Sequence, residues 1–354
     1  MILLKNDGLL PLKNGSSIAV VGNYASQQHL TSDYAGGGGS YGGCWPDSKE
    51  GCIVTIAEAI AGANAGGTTK TSGKQKSDNA TIAAALSIAS AADTVVLALG
   101  EISTEGEGHD RADIVLDDAS LELATRVFAL EKPVLLVLSN GCSIALDGLI
   151  EPSNAIVEAF DPGHSTRQLA ALLFGDFNNW GKLPVTIYSH NYTTGAGGLP
   201  AQRMDNYDMV KAPGRGYRYY QGEPLFAFGT GLSLTTFMHS CSCAHAADAV
   251  KFDCSCELKN TGKLAGDEVI FVYDALSPGI RATVGDAHPL PIKRLVDFER
   301  AAVAAGASAH IEFRIEAVAL ASTTADGTMK LYTGTHGLIF SRGNGNDVTV
   351  PVVV

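Results

Sequence analysis

Four short, largely apolar runs constrain this chain most: Ser17–Gly22 (SIAVVG), Thr94–Gly100 (TVVLALG), Pro133–Ser139 (PVLLVLS) and Ala155–Phe160 (AIVEAF). A strand with one face in water alternates apolar and polar residues, whereas a strand that is apolar throughout needs cover on both faces. Helix candidates lie between and after the runs, at Thr55–Ala63, Ala80–Ala91, Ala119–Leu130 and Ser165–Phe174, with Asp118 or Ser120 expected to cap the third. This alternation predicts an α/β sandwich, a mostly parallel sheet flanked by helices. Ligands of such sheets sit beyond the carboxyl ends of the strands. The loops that leave these four runs are therefore the first place to look for chemistry.

The pattern then changes. Residues 187–235 are rich in Gly, Pro and Tyr and show little periodicity. From Phe237 onward short strands are expected at Phe237–His245, Ala249–Lys259, Asp267–Ala275, Ala309–Ile315 and Thr328–Thr333, with period-two alternation from Val250 to Leu258 and a turn at Asn260–Gly262. This predicts an all-β sandwich of the immunoglobulin or fibronectin type III kind. The expected boundaries are 1–190 for the α/β domain, 191–236 for a linker and 237–354 for the β-sandwich.

Charge narrows the partners. The 354 residues carry a net charge of -12, which opposes binding to nucleic acid or docking on an anionic membrane. A neutral partner such as a sugar is compatible, and no stretch approaches the ~20 apolar residues of a membrane span. The nine histidines show no metal-ligand spacing, and neither a metal nor a cofactor is expected. Gly36–Gly39 opens no helix with a G-x-G-x-x-G pattern and does not read as a nucleotide site.

Seven cysteines are present. Cys44 and Cys52 bracket a short loop and are expected to pair. Cys241 and Cys243 precede Cys254 and Cys256 on consecutive strands joined by a short connection. In an antiparallel pair, opposed residues have a constant sum of residue numbers, and a spacing of two keeps both cysteines of a strand on one face. One register therefore opposes Cys241 to Cys256 and Cys243 to Cys254 together, predicting two disulfides. The alternatives are four thiols on a metal, although C-x-C is not the usual structural zinc spacing, or four small packed side chains in a reducing compartment. Cys142, beside an apolar strand, is expected to remain a thiol. Asn14-Gly-Ser, Asn79-Ala-Thr and Asn191-Tyr-Thr fit the glycosylation acceptor pattern. Disulfides and acceptors favour an extracellular or secretory location. The apolar run at Met1–Asp7 is too short for a signal peptide, so the natural start is expected to lie upstream or to have been removed.

The most informative loop follows Thr94–Gly100 and reads Glu101-Ile-Ser-Thr-Glu105-Gly-Glu107-Gly-His109-Asp110-Arg111. By composition it is either a solvated acidic loop or a carboxyl placed to protonate a leaving group, with glycines that let the backbone approach a ligand. Glu105–Arg111 resembles the E-x-E-G-x-D-R segment of family 3 glycoside hydrolases, especially their β-xylosidase-like branch. The resemblance implies that Glu107 is the general acid/base, with Glu105 as the next candidate, and that Asp110 and Arg111 shape and brace the loop. His109 stands either as a modulator of the acid or as a solvated loop residue. Asp33-Tyr34-Ala-Gly36 resembles a loop that lies near the sugar. Leu3–Leu12, Phe174–Asn178 with Gly181–Thr186, Arg215–Tyr220, Pro224–Ser233 and Pro291–Phe298 resemble further segments of that family in the same order. Asp117-Asp118 stands where the family usually has Leu-Pro, and Asn179-Trp180 where it has Pro-Ser or Pro-Gly. The aromatic cluster Tyr217, Tyr219, Tyr220, Phe226 and Phe228 reads as a sugar platform or as packing.

In this family an N-terminal (β/α)8 barrel carries the aspartate nucleophile, and these 354 residues contain no barrel. A retaining glycosidase needs two carboxyl groups roughly 5–5.5 Å apart. Alone, the chain is expected not to turn over a glycoside. Either a TIM-barrel chain supplies the other half, or the sequence belongs to a longer enzyme, or it serves as a non-catalytic carbohydrate-binding or assembly module.

Overall fold

A computed structural model describes residues 1–26, 54–73, 79–100, 113–195, 198–204, 206–245, 251–285 and 287–354. The chain forms two compact units: Met1–Gly181 with Ile187–Tyr207 and Pro224–Phe226, and Lys182–Thr186 with Asp208–Glu223 and Ala227–Val354. Among the described residues no helix is long and apolar enough to cross a membrane.

The first unit is built on a six-stranded sheet. Its strands are β1 (Ile2–Asn6), β2 (Ser17–Val21), β3 (Thr68–Ser72), β4 (Thr94–Leu99), β5 (Val134–Leu138) and β6 (Ala155–Glu158), in the order β1-β6-β5-β4-β2-β3. The ladders from β3 through β6 are parallel, and β1 joins antiparallel to β6. Every residue of β5 and all of β4 after Thr94 is buried, as continuous apolar runs require. The sheet is thus mixed, and two of its strands were not expected from the sequence. β3 reads TTKTS and is an edge strand with no buried residue, so it carries no apolar signal.

Helices α1 (Ile56–Ala63), α2 (Asn79–Ser90), α3 (Asp118–Phe128) and α4 (Thr166–Phe174) accompany the sheet, and a short α5 covers Asn191–Thr194. Thr55 and Glu58 cap α1 reciprocally: the Glu58 amide donates to Thr55 Oγ1, and the Thr55 amide donates to Glu58 Oε2. The cap of α3 corrects the sequence reading, because it is Asp117 and neither Asp118 nor Ser120. Its two carboxylate oxygens accept from the amide and the hydroxyl of Ser120 at 2.9 and 2.7 Å. The departure Asp117-Asp118 therefore has a local reason, since an N-cap aspartate is worth about 1 kcal/mol to a helix. Ser120, Leu123, Ala124 and Val127 form the buried stripe that follows.

The second unit is antiparallel. A short helix α6 (Gly216–Tyr219) precedes β7 (Phe237–His245), β8 (Lys251–Asn260) and β9 (Gly266–Leu276), and α7 (Pro278–Val284) follows, capped by Ser277. Then come β10 (Arg294–Val303), β11 (Ser308–Glu316), β12 (Ser322–Thr323), β13 (Met329–Lys330), β14 (Thr335–Ser341) and β15 (Val348–Val353). One sheet has the order β10-β9-β14-β15 and the other β11-β8-β7. In β8, Phe252, Cys254, Cys256 and Leu258 point into the core while Asp253 and Glu257 stay exposed, the period-two pattern of a strand with one buried face. The strand expected at Thr328–Thr333 is only the two-residue β13. It sits in a β12–β13 hairpin tied by Asp326, whose Oδ1 accepts from the Thr328 amide and hydroxyl.

The aromatic segment resolves in part as packing. Tyr217 stacks on Phe228 at 4.4 Å and meets Tyr273 edge-on at 5.8 Å, covering Phe271 and Tyr273 of β9. Lys182, in the Gly181–Thr186 segment, is a buried peg. Its ammonium donates to Glu268 Oε1 at 2.7 Å and to the carbonyls of Gly231 and Arg342 at 2.7 and 2.8 Å. Burial lowers its pKa, and Glu268 opposes that shift.

β7 and β8 adopt the register read from the cysteine spacing. Cys241 opposes Cys256 and Cys243 opposes Cys254, and both pairs are disulfide-bonded. Cys142 is in no disulfide, and Cys44 and Cys52 lie outside the described residues. With sequence separations of 15 and 11, each bridge is expected to contribute about 2–3 kcal/mol by restricting the unfolded chain. Replacing Cys243 and Cys254 together by alanine should lower the urea midpoint of this unit accordingly. Non-reducing peptide mapping should recover the same two pairs, and the crossed pair Cys241–Cys254 would contradict the register.

Candidate active site

The carboxyl ends of β2, β4, β5 and β6 gather a set of polar side chains. Asn23 follows β2 and is buried. Its Nδ2 donates to the Gly100 carbonyl at 2.7 Å, and its Oδ1 accepts from the Gly100 amide at 3.2 Å. One side chain thus satisfies both backbone polar groups of the residue just past β4. Gly100 also has no room for a side chain: a Cβ there would stand 1.7 Å from the Ser139 carbonyl oxygen and 2.5 Å from the Tyr24 ring. Glycine is the residue that permits so close a backbone approach.

Gly100 is the last described residue before the acidic loop. Glu105, Glu107, His109, Asp110 and Arg111 lie outside the described residues, as do Asp33 and Tyr34. Description resumes at Asp113. Its Oδ1 accepts from the Ile114 amide at 2.7 Å and the Thr193 hydroxyl at 2.8 Å, and its Oδ2 lies 3.2 Å from His190 Nε2. Burial alone would raise the pKa of this carboxyl. The Thr193, Ile114 and His190 contacts outweigh burial and lower it. Asp147 accepts from the His190 amide at 2.8 Å and from the Ser189 hydroxyl at 2.7 Å, fixing the segment that carries the imidazole.

Two further groups sit at the ends of β5 and β6. Asn140 Nδ2 donates to the Cys142 carbonyl at 2.6 Å. Glu158, the one charged residue in the run Ala155–Phe160, is fully buried and accepts from the Phe160 amide at 2.8 Å. Burial pushes its pKa up to about 8, against the opposing hydrogen bonds from Phe160 and Asn140. At neutral pH this carboxyl is therefore largely protonated. Phe160 itself has φ of 52°, a left-handed backbone that is uncommon for a bulky residue.

Sequence reading did not single out Asn23, Asp113, His190, Thr193 or Glu158. Only Glu158 left a local signal, a carboxylate within an otherwise apolar strand. The three acceptor asparagines Asn14, Asn79 and Asn191 are exposed, and the Asn14 side chain accepts from the Ala65 amide at 3.1 Å.

The profile of the glycosyl hydrolase family 3 C-terminal domain matches residues 1–234. Beta-D-xylosidase 3 of Arabidopsis thaliana is 31% identical over 275 residues, 67% of this chain and 34% of that protein. A probable exo-1,4-beta-xylosidase of Aspergillus terreus is 29% identical over 358 residues, 95% of this chain and 43% of its own length. The crystal structure of beta-glucosidase from Listeria innocua in complex with isofagomine is similar with a TM-score of 0.79 at 24% identity, over 100% of this chain and 48% of that one. At that identity the likeness concerns the fold alone. The chain spans less than half the length of each of these relatives.

Proposed function

Because the chain belongs to glycosyl hydrolase family 3, matching its C-terminal domain over residues 1–234, we propose that it supplies the acid/base half of a retaining exo-β-glycosidase acting on terminal β-linked xylose or glucose. The observation that carries this reading is the point from which the matching segment hangs. Glu101–Arg111 leaves Gly100 at the carboxyl end of β4, an interior strand of the sheet, where α/β folds place their ligands. Glu107 protonates the leaving oxygen and then deprotonates the attacking water, with Glu105 the next candidate. Asp110 and Arg111 brace the loop, and Asp33 and Tyr34 approach the sugar. The nucleophile comes from a TIM-barrel, on a second chain or elsewhere in a longer protein, so the isolated chain is inactive. The names of the Arabidopsis and Aspergillus relatives favour a β-xyloside. Acid/base chemistry between two carboxyl groups needs no cofactor.

The second unit is read as a fibronectin type III-like sandwich, supported by its four- and three-stranded antiparallel sheets, which share one apolar core. The two disulfides and three exposed acceptor asparagines support a secretory location. The test is native mass spectrometry of the protein purified from its source, followed by assay on nitrophenyl β-xyloside and β-glucoside. A barrel, as a companion chain or as covalent continuation, should accompany the chain, and that assembly should release nitrophenol while the chain alone does not. A barrel-bearing assembly that binds sugar and hydrolyses neither substrate would overturn the catalytic reading in favour of a binding or assembly module.

A further inference from the structure

We infer that His336 and Asp274 form a proton-held latch that fastens the segment Leu331–Thr335, and through it helix α7, to the body of the second unit. Both residues are buried, His336 on β14 and Asp274 on the neighbouring β9. Asp274 Oδ1 lies 2.9 Å from His336 Nδ1, and the Tyr332 carbonyl oxygen lies 2.9 Å from Nε2. A carbonyl oxygen only accepts, and so does an ionised carboxylate, whereas a neutral imidazole has a single N–H. Two hydrogen bonds therefore need two protons on the pair, an imidazolium facing a carboxylate. A charge is kept in such a place only when it is paired and hydrogen-bonded, and this ring is both.

The bond to Tyr332 carries the latch outward. The Tyr332 hydroxyl lies 2.5 Å from Nε2 of the buried His288. The Tyr332 ring packs with Leu290 against Leu276, Ile280 and Val284, the apolar side of α7. A Cβ on Gly334 would stand 3.2 Å from Ile280, so the segment runs close beneath the helix. The amide of Ser277, which caps α7, donates to the Thr335 carbonyl at 3.3 Å.

The charged surroundings set the direction of the pH response. Asp274 faces the ring from β9. Arg294 of β10 stands 3.9 Å from Asp274 Oδ2, and Val352 lies opposite on β15. Arg281 of α7 donates to the carbonyls of Leu276, Pro291 and Ile292. Around Tyr332 stand His288 and the Lys330 ammonium, 4.8 Å from the ring centre. Burial and Arg294 disfavour the imidazolium, but the Asp274 and Tyr332 bonds and the Asp274 charge outweigh them and raise the His336 pKa above its ordinary value. The latch is therefore fully present below the unfolded pKa and is lost as pH rises through the folded one. Once one proton has gone, the remaining N–H stays with the carboxylate, because a charge-assisted bond is the stronger. The Tyr332 side is the one that opens.

The test is nitrogen NMR of the imidazole rings in the intact chain from about pH 5.5 to about pH 9.5, with amide protection read at Gly334, Ser277 and Gly285. Both His336 nitrogens should be protonated near pH 6. Protection at the three amides should fall roughly 10- to 100-fold as the ring loses a proton, the equivalent of one hydrogen bond to a charged group, while β7 and β8 keep theirs. Asp274→Asn offers an amide that can donate to Nδ1 of a neutral ring and leaves the Nε2 proton for Tyr332, so this variant should stay latched across the whole range. His336→Gln has a donor at one end only and should show the low protection at every pH. Tyr332→Phe removes the His288 contact and should keep the pH response. A His336 ring with one bare nitrogen near pH 6, a response that persists in Asp274→Asn or His336→Gln, or a response lost in Tyr332→Phe would each overturn the inference.

Discussion

Glu107→Gln is expected to slow hydrolysis of glycosides with poor leaving groups by roughly 10²–10⁴-fold in the barrel-containing assembly, the usual contribution of a positioned general acid. Glutamine keeps the size of the side chain and removes the transferable proton. A sugar or alkyl alkoxide is a poor leaving group and must be protonated as the bond breaks. A nitrophenolate leaves without that help, so the first step on an activated aryl glycoside should be spared. The second step then becomes limiting, because the same residue must deprotonate the attacking water. Added azide needs no base and should restore turnover, giving a β-glycosyl azide with retained configuration. Steady-state and burst kinetics on the two substrate types read both effects. Unchanged kinetics would remove Glu107 from the role, and the same analysis of Glu105→Gln would then decide whether the neighbouring carboxyl holds it.

The second large effect is expected in stability, at Glu158. In the unfolded chain this carboxyl ionises near the ordinary value of about 4.3. In the folded chain burial holds it protonated to about 8. Between those values the folded state binds the extra proton, so stability falls as pH rises through the window. The contribution is fully present below the unfolded pKa and is lost as pH passes the folded one. At 1.36 kcal/mol per pK unit, the total is on the order of 5 kcal/mol. Glu158→Gln carries no charge at any pH and keeps an oxygen to accept from the Phe160 amide, which helps to hold that left-handed residue. The variant should therefore match the wild type near pH 4 and exceed it by a few kcal/mol near pH 9. Urea midpoints of the α/β unit at pH 4.5, 6.5 and 8.5 check this. An unaltered pH slope in the variant would show that Glu158 does not titrate in this window.

Much of this molecule was legible before any coordinates. Continuous apolar runs such as Thr94–Leu99 and Val134–Leu138 required cover on both faces and became the interior strands β4 and β5. Alternation in Phe252–Leu258 fixed which face of β8 is inward, and the cysteine spacing fixed the register with β7. The ordered segments from Leu3 to Phe298 pointed to the family. These signals are local, because period and spacing are properties of neighbouring residues.

Tertiary structure decided what no local pattern encodes. The edge strand β3 is polar and acquires its conformation from pairing with β2, not from a core-facing side chain. The α3 cap went to Asp117 because a cap is chosen by which carboxylate reaches the amide of Ser120, and neighbouring acidic residues look alike in sequence. The polar frame of the site is the clearest case. Asn23 meets Gly100 and Asp113 meets His190, each across 77 residues of sequence, so neither pair leaves a periodic trace. The sequence determined the layers and the cysteine register, since burial and spacing constrain near neighbours. Only the folded chain decided that Asn23 meets Gly100, because the parallel order of β2, β4 and β5 is what brings their carboxyl ends together.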